Sequence, residues 1–258
     1  MQDVDDLLEM DGAVDMIFVR GSPTLVHSIR DRTNMPVLGH SEGICCIYID
    51  AEVDLEMACA VCLDSKVDYP AACNSVERIC LHKKHREGGG LFRLLAAFRK
   101  VGVEVFGGSE DVQALLNVAA PPEPAGEFHD LKVIVDVVED MDAAVSYIHM
   151  HGSAHTDAIC TSCEDTANDF LNRVDSASVF VNCSTRFSDG QRFGMGAEVG
   201  ISTGRVHARG PMGADGLTST KYVVRGCGQV VKGDKGVKYT HIESVSYTHL
   251  TLPTICSV

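Results

Sequence analysis

The sequence predicts an α/β fold with a parallel sheet, because short aliphatic runs alternate with helix-length amphipathic stretches along most of the chain. The chain has 258 residues, of which 45% are hydrophobic and 22% charged, the balance of a folded protein with a sizeable core. In chain order, the predicted strands are Met16–Val19, Ile44–Ile49, Arg78–Leu81, Val103–Phe106, Lys132–Val137, Asp157–Cys160 and Ala177–Val181.

The predicted helices lie between these strands. The first has a specific start signal, since Ser22 is a good N-cap and Pro23 suits the first helical position. The predicted helices are Ser22–Arg30, Asp54–Lys66, Gly90–Lys100, Glu110–Leu116, Asp140–His151 and Glu164–Arg173. Three prolines make the segment Asn117–Gly126 a predicted loop.

After residue 181 the apolar residues no longer recur at the spacing of a helix. Asn182–Gly216 is rich in Gly, Ser, Thr and Arg, and the apolar residues among them indicate an ordered, functional loop. The next segment predicts a hairpin of two strands, Lys221–Arg225 and Gln229–Lys232, that turns at Gly226–Gly228. The last fifteen residues, 244–258, match nothing before them, and we expect them to be a non-native tail.

Charge excludes several classes of partner. With 36 acidic and 22 basic residues the net charge is −14, which disfavours binding to nucleic acid or to an anionic membrane surface. No apolar run approaches the roughly 18 residues of a membrane-spanning helix, and the acidic start does not resemble a signal or transit peptide. We therefore expect a cytoplasmic protein that binds neither nucleic acid nor a membrane.

Eleven cysteines, an odd number scattered through apolar stretches, predict reduced and packed thiols. Two C-x-x-C pairs occur, Cys59/Cys62 and Cys160/Cys163. The first pair falls in a predicted helix, where its spacing suits the core. The second lies near three histidines between residues 149 and 155, which leaves a zinc site as an alternative. We expect no metal, because structural zinc sites usually bring four ligands at tight spacings.

Cys73 is the first candidate for chemistry. It follows a proline turn, and Asn74–Glu77 is predicted to open a helix. A thiol at a helix N-terminus faces unpaired N–H groups that favour the thiolate and can hold an oxyanion. The alternative is an inert, buried cysteine.

A second candidate is the basic and hydroxyl-bearing part of the glycine-rich loop. It contains Ser184–Phe187 and, further on, Arg205–Arg209. An arginine among hydroxyl groups suits bidentate capture of a carboxylate or phosphate. Solvated loop charges are the alternative. Neither Gly88–Gly90 nor the glycine-rich stretch after Phe193 has the Gly-x-Gly-x-x-Gly pattern of a dinucleotide-binding turn.

Four stretches carry a family resemblance: PVLGHSEGICCIYID, YPAACNSVE, HGSAHTDAI and STRFSDGQRFGMGAEVGISTGRVHARGP. They resemble glutamate-5-semialdehyde dehydrogenase, also called gamma-glutamyl phosphate reductase, over about Val14–His241. The YPAACN form is most similar to the C-terminal reductase half of the bifunctional delta-1-pyrroline-5-carboxylate synthases. The resemblance implies the aldehyde dehydrogenase superfamily, whose members have a Rossmann-like cofactor domain, a catalytic α/β domain and an oligomerisation flap.

The resemblance also implies domain boundaries. Residues 1–35 would be the end of the NADP-binding domain, 36–205 the catalytic domain and 206–243 the oligomerisation segment. Family members carry a longer segment before Met1, which includes a donor to the oxyanion. We therefore expect this chain to be a fragment that is weakly active or inactive alone.

The activity implied is the NADPH-dependent reduction of L-glutamyl 5-phosphate to L-glutamate 5-semialdehyde, in proline biosynthesis, through a cysteine thioester. A homo-oligomer is implied, as is a glutamate 5-kinase domain that is fused to it or acts with it. The site residues implied are Cys73 and Asn74 at the reacting carbon, Glu127 and Phe128 at the cofactor, and Ser184, Thr185 and Arg186 at the substrate.

One departure from the wider superfamily fits this chemistry. Hydrolytic aldehyde dehydrogenases carry a general-base Glu in a Glu-Leu-Gly-Gly motif, and the matching position here is Val37. An enzyme whose thioester must not be lost to water should lack that base. Two alternatives stay open: another aldehyde or acyl-phosphate oxidoreductase, and a non-enzymatic metal-binding or assembly module that uses Cys160, Cys163 and the nearby histidines.

Overall fold

The computed structural model describes residues 2–21, 23–39, 42–122, 126–205, 209–228 and 230–231. Strands and helices alternate along most of this length. In chain order the elements are α1 (Gln2–Leu8), β1 (Ile17–Val19), α2 (Pro23–Arg30), β2 (Val37–Gly39), β3 (Cys45–Ile49), α3 (Leu55–Val67), β4 (Val76–His82), α4 (Lys84–Glu87), α5 (Gly90–Lys100), β5 (Glu104–Gly107), α6 (Glu110–Leu116), β6 (Lys132–Val138), α7 (Met141–His151), β7 (Thr156–Cys160), α8 (Glu164–Arg173), β8 (Ser178–Val181), β9 (Gly200–Ser202) and β10 (Gly210–Met212). Two 3₁₀ turns occupy Thr185–Phe187 and Asp215–Leu217.

Six strands form one sheet in the order β5-β6-β4-β3-β7-β8, and every pairing in it is parallel. At its centre, Ile47 is in register with Ile79 on one side and Ala158 on the other. A parallel sheet needs helical crossovers that cover both of its faces, which explains why β3 is apolar and buried throughout. The predicted α/β class is confirmed.

Helices cover both faces of this sheet. On one face α3, α5 and α6 pack over alternate strand residues such as Ile47 and Leu81. On the other face α7 and α8 pack over the intervening residues, among them Tyr48, whose ring lies 6.4 Å from that of Phe170. The Cys59 and Cys62 side chains are buried on α3, as the helical spacing predicts.

Two small sheets lie outside the main one. Strands β1 and β2 pair in parallel and pack with α2 around Val19 and Val26. Strands β9 and β10 pair antiparallel. The two small sheets are joined where the Arg20 guanidinium donates a hydrogen bond of 2.8 Å to the carbonyl oxygen of Val199. This contact places the start of the chain beside the glycine-rich loop.

Three sequence predictions need correction or extension. The prediction that Asn74–Glu77 opens a helix is wrong, because the turn there runs directly into β4. The predicted strand Lys221–Arg225 is also wrong: that segment has no regular structure, and Tyr222 is 92% exposed. The long loop Asn182–Gly216 is ordered where it is described, and it contains β9 and β10.

Some predictions lie outside the described residues. These are the N-cap Ser22, residues 206–208 of the second arginine cluster, the ends of the strand Gln229–Lys232, and the tail 244–258. The domain boundaries stay a prediction. None of the helices that the structure describes combines the length and the apolar character needed to cross a lipid bilayer.

Candidate active site

A cleft of about 740 Å³ opens at the amino-terminal edge of the main sheet. One wall is the end of β1 and the residues after it, Phe18–Gly21. The opposite wall is the turn Tyr69–Asn74, which leads into β4. Two further groups complete the lining: Glu127 with His129, and Arg186 with Asp189, Glu198, Gly200 and Ile201 from the glycine-rich loop.

Cys73 lies on this turn, three residues before β4, and lines the cleft. Two backbone hydrogen bonds shape the turn, from Ala72 N–H to the Tyr69 carbonyl (3.1 Å) and from Ser75 N–H to the Ala72 carbonyl (2.9 Å). A strand follows the turn, so the segment after Cys73 does not open a helix, and that part of the sequence prediction is wrong.

Burial raises the pKa of the Cys73 thiol to about 11, with help from the negative charges of Glu127 and Glu198. The charge of Arg186 acts in the opposite direction and is the weaker influence. In the ligand-free protein the thiol is therefore protonated at neutral pH. Any reaction that uses it must transfer its proton to another group.

Asn74 joins the Cys73 turn to the glycine-rich loop. Its side-chain N–H donates to the Ser188 carbonyl (2.8 Å), and its side-chain oxygen accepts a hydrogen bond from Arg186. Its backbone carbonyl accepts the Thr185 hydroxyl at 2.7 Å. The Asn74 side chain thus holds the loop through both its nitrogen and its oxygen.

Ser184 and Thr185 are buried beneath the cleft and do not line it. The Ser65 hydroxyl on α3 lies 3.1 Å from the Ser184 hydroxyl and accepts a hydrogen bond of 3.1 Å from the Thr185 N–H. These contacts anchor the loop to α3. Of the three residues assigned to the substrate by resemblance, only Arg186 faces the cleft.

The Arg186 side chain is 13% exposed and makes contacts in three directions. Its Nε lies 3.1 Å from Oδ2 of Asp68, its Nη1 donates to Asn74, and its guanidinium lies over the Tyr69 ring at 5.8 Å. The planar guanidinium is therefore held in one orientation at the mouth of the cleft.

Glu127 lies in the same cleft as Cys73. Its carboxylate is 12% exposed and accepts a hydrogen bond from the Gly43 N–H. Burial raises its pKa, while His129, 3.6 Å away, lowers it. The adjacent Phe128 stacks on Phe106 with ring centroids 5.6 Å apart and fixes the backbone behind the carboxylate.

Several lining residues were not singled out from the sequence. Arg20, His129, Asp189 and Glu198 are single polar residues in stretches without a motif, and nothing in their spacing marks them. Gly43 carried a signal, since a glycine just before a buried strand often marks a close backbone approach. Val37 is half-buried and packs against the apolar cluster around α2.

The alternative of a zinc site gains no support from the described residues. They contain no group of three or more His, Cys, Asp or Glu side chains that could hold a metal ion. Cys160 is buried within β7, and Cys163 precedes the first turn of α8. A smaller cavity of about 370 Å³ lies beside His149 and Arg205.

Sequence comparisons identify relatives along most of the chain. Delta-1-pyrroline-5-carboxylate synthase of Solanum lycopersicum is 48% identical over 240 residues, which cover 93% of this chain and 33% of the relative. Gamma-glutamyl phosphate reductase of Haloquadratum walsbyi is 45% identical over 255 residues, which cover 94% of this chain and 56% of the relative. A scan against protein-family models finds no match.

Structural comparison agrees with the sequences. Gamma-glutamyl phosphate reductase from Thermotoga maritima matches with a TM-score of 0.83 and 35% identity, over 89% of this chain and 56% of that one. A probable aldehyde dehydrogenase from Listeria monocytogenes matches with a TM-score of 0.66 at 16% identity, over 90% and 61%, and shows the shared fold alone.

The chain spans about a third of the length of the synthases that it matches and about half of the reductases. By sequence and by fold, it is a homologue of the gamma-glutamyl phosphate reductases and of the corresponding segment of the delta-1-pyrroline-5-carboxylate synthases, with an aldehyde dehydrogenase-like architecture.

Proposed function

We propose that this chain carries the catalytic part of an oxidoreductase that reduces L-glutamyl 5-phosphate to L-glutamate 5-semialdehyde with NADPH and releases phosphate, as a step of proline biosynthesis. The observation that carries the proposal is that Cys73, Glu127 and Arg186 line one cleft. A nucleophile, an acceptor for hydroxyl groups and a bidentate cation are the groups that this reaction needs.

Cys73 is the proposed nucleophile. Its sulfur attacks the 5-acyl carbon, the bond from that carbon to the phosphate oxygen breaks, and a thioester forms. The thiol proton ends on the departing phosphate, which suits a thiol whose pKa is near 11 in the ligand-free protein. After reduction, the sulfur leaves as thiolate when the semialdehyde is released.

The cleft residues fit a nicotinamide cofactor. The Glu127 carboxylate, held by the Gly43 N–H, can accept hydroxyl groups of the nicotinamide ribose, with Phe128 fixed behind it. When bound at these residues, the cofactor would supply the hydride that the reduction of a thioester needs. A cleft of about 740 Å³ lies within the usual size range of ligand and cofactor sites.

Arg186 is proposed to bind the α-carboxylate of the substrate, while Asn74, Ser184 and Thr185 hold the loop that presents it. The Arg186 guanidinium is already oriented by Asp68 and Tyr69, which reduces the conformational entropy lost when the substrate binds. An acyl phosphate must be made by phosphorylation of a carboxylate, so we also propose a glutamate 5-kinase as the source of the substrate, either fused or separate.

The test uses the protein expressed from its complete coding sequence, assayed in the reverse direction with glutamate 5-semialdehyde, phosphate and NADP. The proposal predicts turnover that Cys73→Ser abolishes, and a lower kcat/KM for aldehydes that lack the amino-acid group. Equal turnover of unrelated aldehydes would point to a different oxidoreductase. Full activity of the Cys73→Ser variant would refute the thioester mechanism.

A further inference from the structure

We propose that the buried ion pair Lys66–Glu77 is a positioning device that fixes Glu127 relative to Cys73. This inference rests on the proposed function, because it assigns Glu127 to the cofactor. The pair lies outside the cleft and takes no part in the chemistry described above.

The two charges are almost completely removed from solvent. Lys66 is near the end of α3 and Glu77 is the second residue of β4; Nζ and Oε2 lie 3.1 Å apart, with side chains 0% and 2% exposed. Buried ion pairs rarely stabilise a fold more than apolar residues of similar volume would, because desolvation offsets the attraction. Stability alone therefore does not account for this pair.

Glu77 reaches beyond Lys66 to the backbone that carries Glu127. Its carboxylate accepts a hydrogen bond from the N–H of Phe128, the next residue along the chain. The Phe128 ring is held separately by its stacking on Phe106. Backbone and ring are thus fixed on both sides, and the orientation of the Glu127 carboxylate follows from them.

The charge of Lys66 acts on both carboxylates. Burial raises the pKa of Glu77 and of Glu127, and the ammonium of Lys66 lowers both. Burial raises the pKa of Glu77 to about 7, and Lys66 keeps it from rising further. Lys66 therefore favours the charged form of Glu77, which is the stronger acceptor for the Phe128 N–H. The pair thus acts through a backbone hydrogen bond.

The same strand determines where the thiol lies. Cys73 is four residues before Glu77, on the turn that leads into β4. Gly43, whose N–H donates to Glu127, packs directly against the Cys73 carbonyl. The positions of Cys73 and of the Glu127 carboxylate therefore both depend on the first residues of β4. Cys73 is connected to them along the chain, and Glu127 is connected to them through Glu77.

Two double variants in the protein from the complete coding sequence separate positioning from stability. Lys66→Gln with Glu77→Gln, the amide pair, removes both charges but keeps an acceptor for the Phe128 N–H. Lys66→Met with Glu77→Leu, the apolar pair, removes the charges and the acceptor. Glu127→Gln serves as the reference for loss of the cofactor contact.

Binding of NADPH, measured by its fluorescence, is the main readout. We expect the apolar pair to weaken NADPH binding about tenfold, the usual effect of one lost hydrogen bond to a charged group, and the amide pair to stay within about twofold of the wild type. Acyl transfer from p-nitrophenyl acetate to Cys73 needs no cofactor, and we expect both double variants to retain it.

Two outcomes distinguish failure of the positioning role from failure of the proposed function. If Glu127→Gln weakens NADPH binding and the apolar pair does not, the positioning role is refuted while the proposed function stands. If Glu127→Gln has no effect on binding, the cofactor assignment itself is refuted, and the positioning role with it.

Hydrogen exchange at the Phe128 N–H of the unaltered protein tests the hydrogen bond without any variant. The proposal requires slow exchange, and rapid exchange would overturn it.

Discussion

Gly43 lies so close to the Cys73 turn that a β-carbon at position 43 would be 2.7 Å from the carbonyl carbon of Cys73. The same β-carbon would lie 2.6 Å from Oε1 of Glu127. Distances below 3.0 Å are essentially never found for real β-carbons. The missing side chain at this one position is what allows the Cys73 turn and the Glu127 carboxylate to approach each other.

The variant Gly43→Ala should therefore displace both groups. We expect kcat/KM of the complete protein to fall about 100-fold, the usual effect of moving reacting groups by about 1 Å. Gly12→Ala is the matched control, because a β-carbon there meets no atom within 4 Å. Unchanged kinetics in Gly43→Ala would show that the turn can shift without consequence.

The raised pKa of Cys73 predicts how its reactivity depends on pH. Because the thiolate is the reactive form and the pKa is about 11, alkylation of ligand-free protein by iodoacetamide should accelerate about tenfold per pH unit between pH 7 and 10. Mass spectrometry of the modified peptide, with Cys73→Ser as the blank, measures the rate. A plateau near pH 7 would contradict the prediction.

Glu127→Gln should shift this profile. Removing the negative charge that helps to raise the pKa of Cys73 lowers that pKa, so alkylation at pH 8 should become faster. The rate at a pH well above 11 should be the same in both proteins. A slower reaction of the variant at pH 8 would mean that Glu127 acts on the thiol in some other way.

Arg186→Lys separates substrate binding from ordering of the loop. Lysine cannot contact Asp68 and Asn74 at the same time in the geometry of the planar guanidinium. We expect the KM for the substrate to rise about tenfold or more, the loss of roughly one bidentate contact, with little change in melting temperature. Arg192→Lys, at an exposed arginine of the same loop, is the control. A drop in melting temperature without a change in KM would favour ordering alone.

Asp157 makes stability depend on pH. It is fully buried in β7, where it accepts hydrogen bonds from the Cys46 N–H (2.8 Å) and from Ser176, and burial raises its pKa to about 6. The folded protein therefore binds this proton more tightly than the unfolded chain does. Stability from this group is complete below about pH 4 and decreases as the pH rises through 6, by up to about 3 kcal/mol.

The comparison that isolates this contribution is wild type against Asp157→Asn. The amide has no titration, and it can still accept from Cys46 and pair with Ser176. Urea unfolding at pH 4.5, 5.5 and 7.5 should show a difference between the two proteins that shrinks or reverses as the pH rises. A constant difference would mean that Asp157 keeps its ordinary pKa in the fold.

The parallel sheet was predictable because its buried strands are continuous aliphatic runs, as in Ile44–Ile49. Strand β4 was harder, since Glu77 and Arg78 are charged residues at its start. In the folded protein Lys66 pairs with Glu77, and Arg78 donates a hydrogen bond to the Tyr147 hydroxyl. No local sequence pattern indicates such partners. For this reason a helix was predicted to begin at Asn74, where the chain instead enters a strand.

In the site, the sequence and the resemblance identified Cys73, Glu127 and Arg186, and the structure places all three in one cleft. The helix dipole that was expected to activate the thiol is absent, and burial has the opposite effect on its pKa. Electrostatics of this kind depends on which side chains surround a group in space, and the order of residues does not contain that information.

The contacts that complete the cleft span long stretches of chain. The hydrogen bond between Thr185 and the Asn74 carbonyl closes a loop of 111 residues, and the contact between Ser65 and Ser184 closes one of 119 residues. Closing such loops is entropically costly and depends on non-local contacts that form late in folding. During synthesis, the Cys73 turn leaves the ribosome more than a hundred residues before the segment that anchors it. The anchoring contacts can therefore form only after every strand of the main sheet has been synthesised.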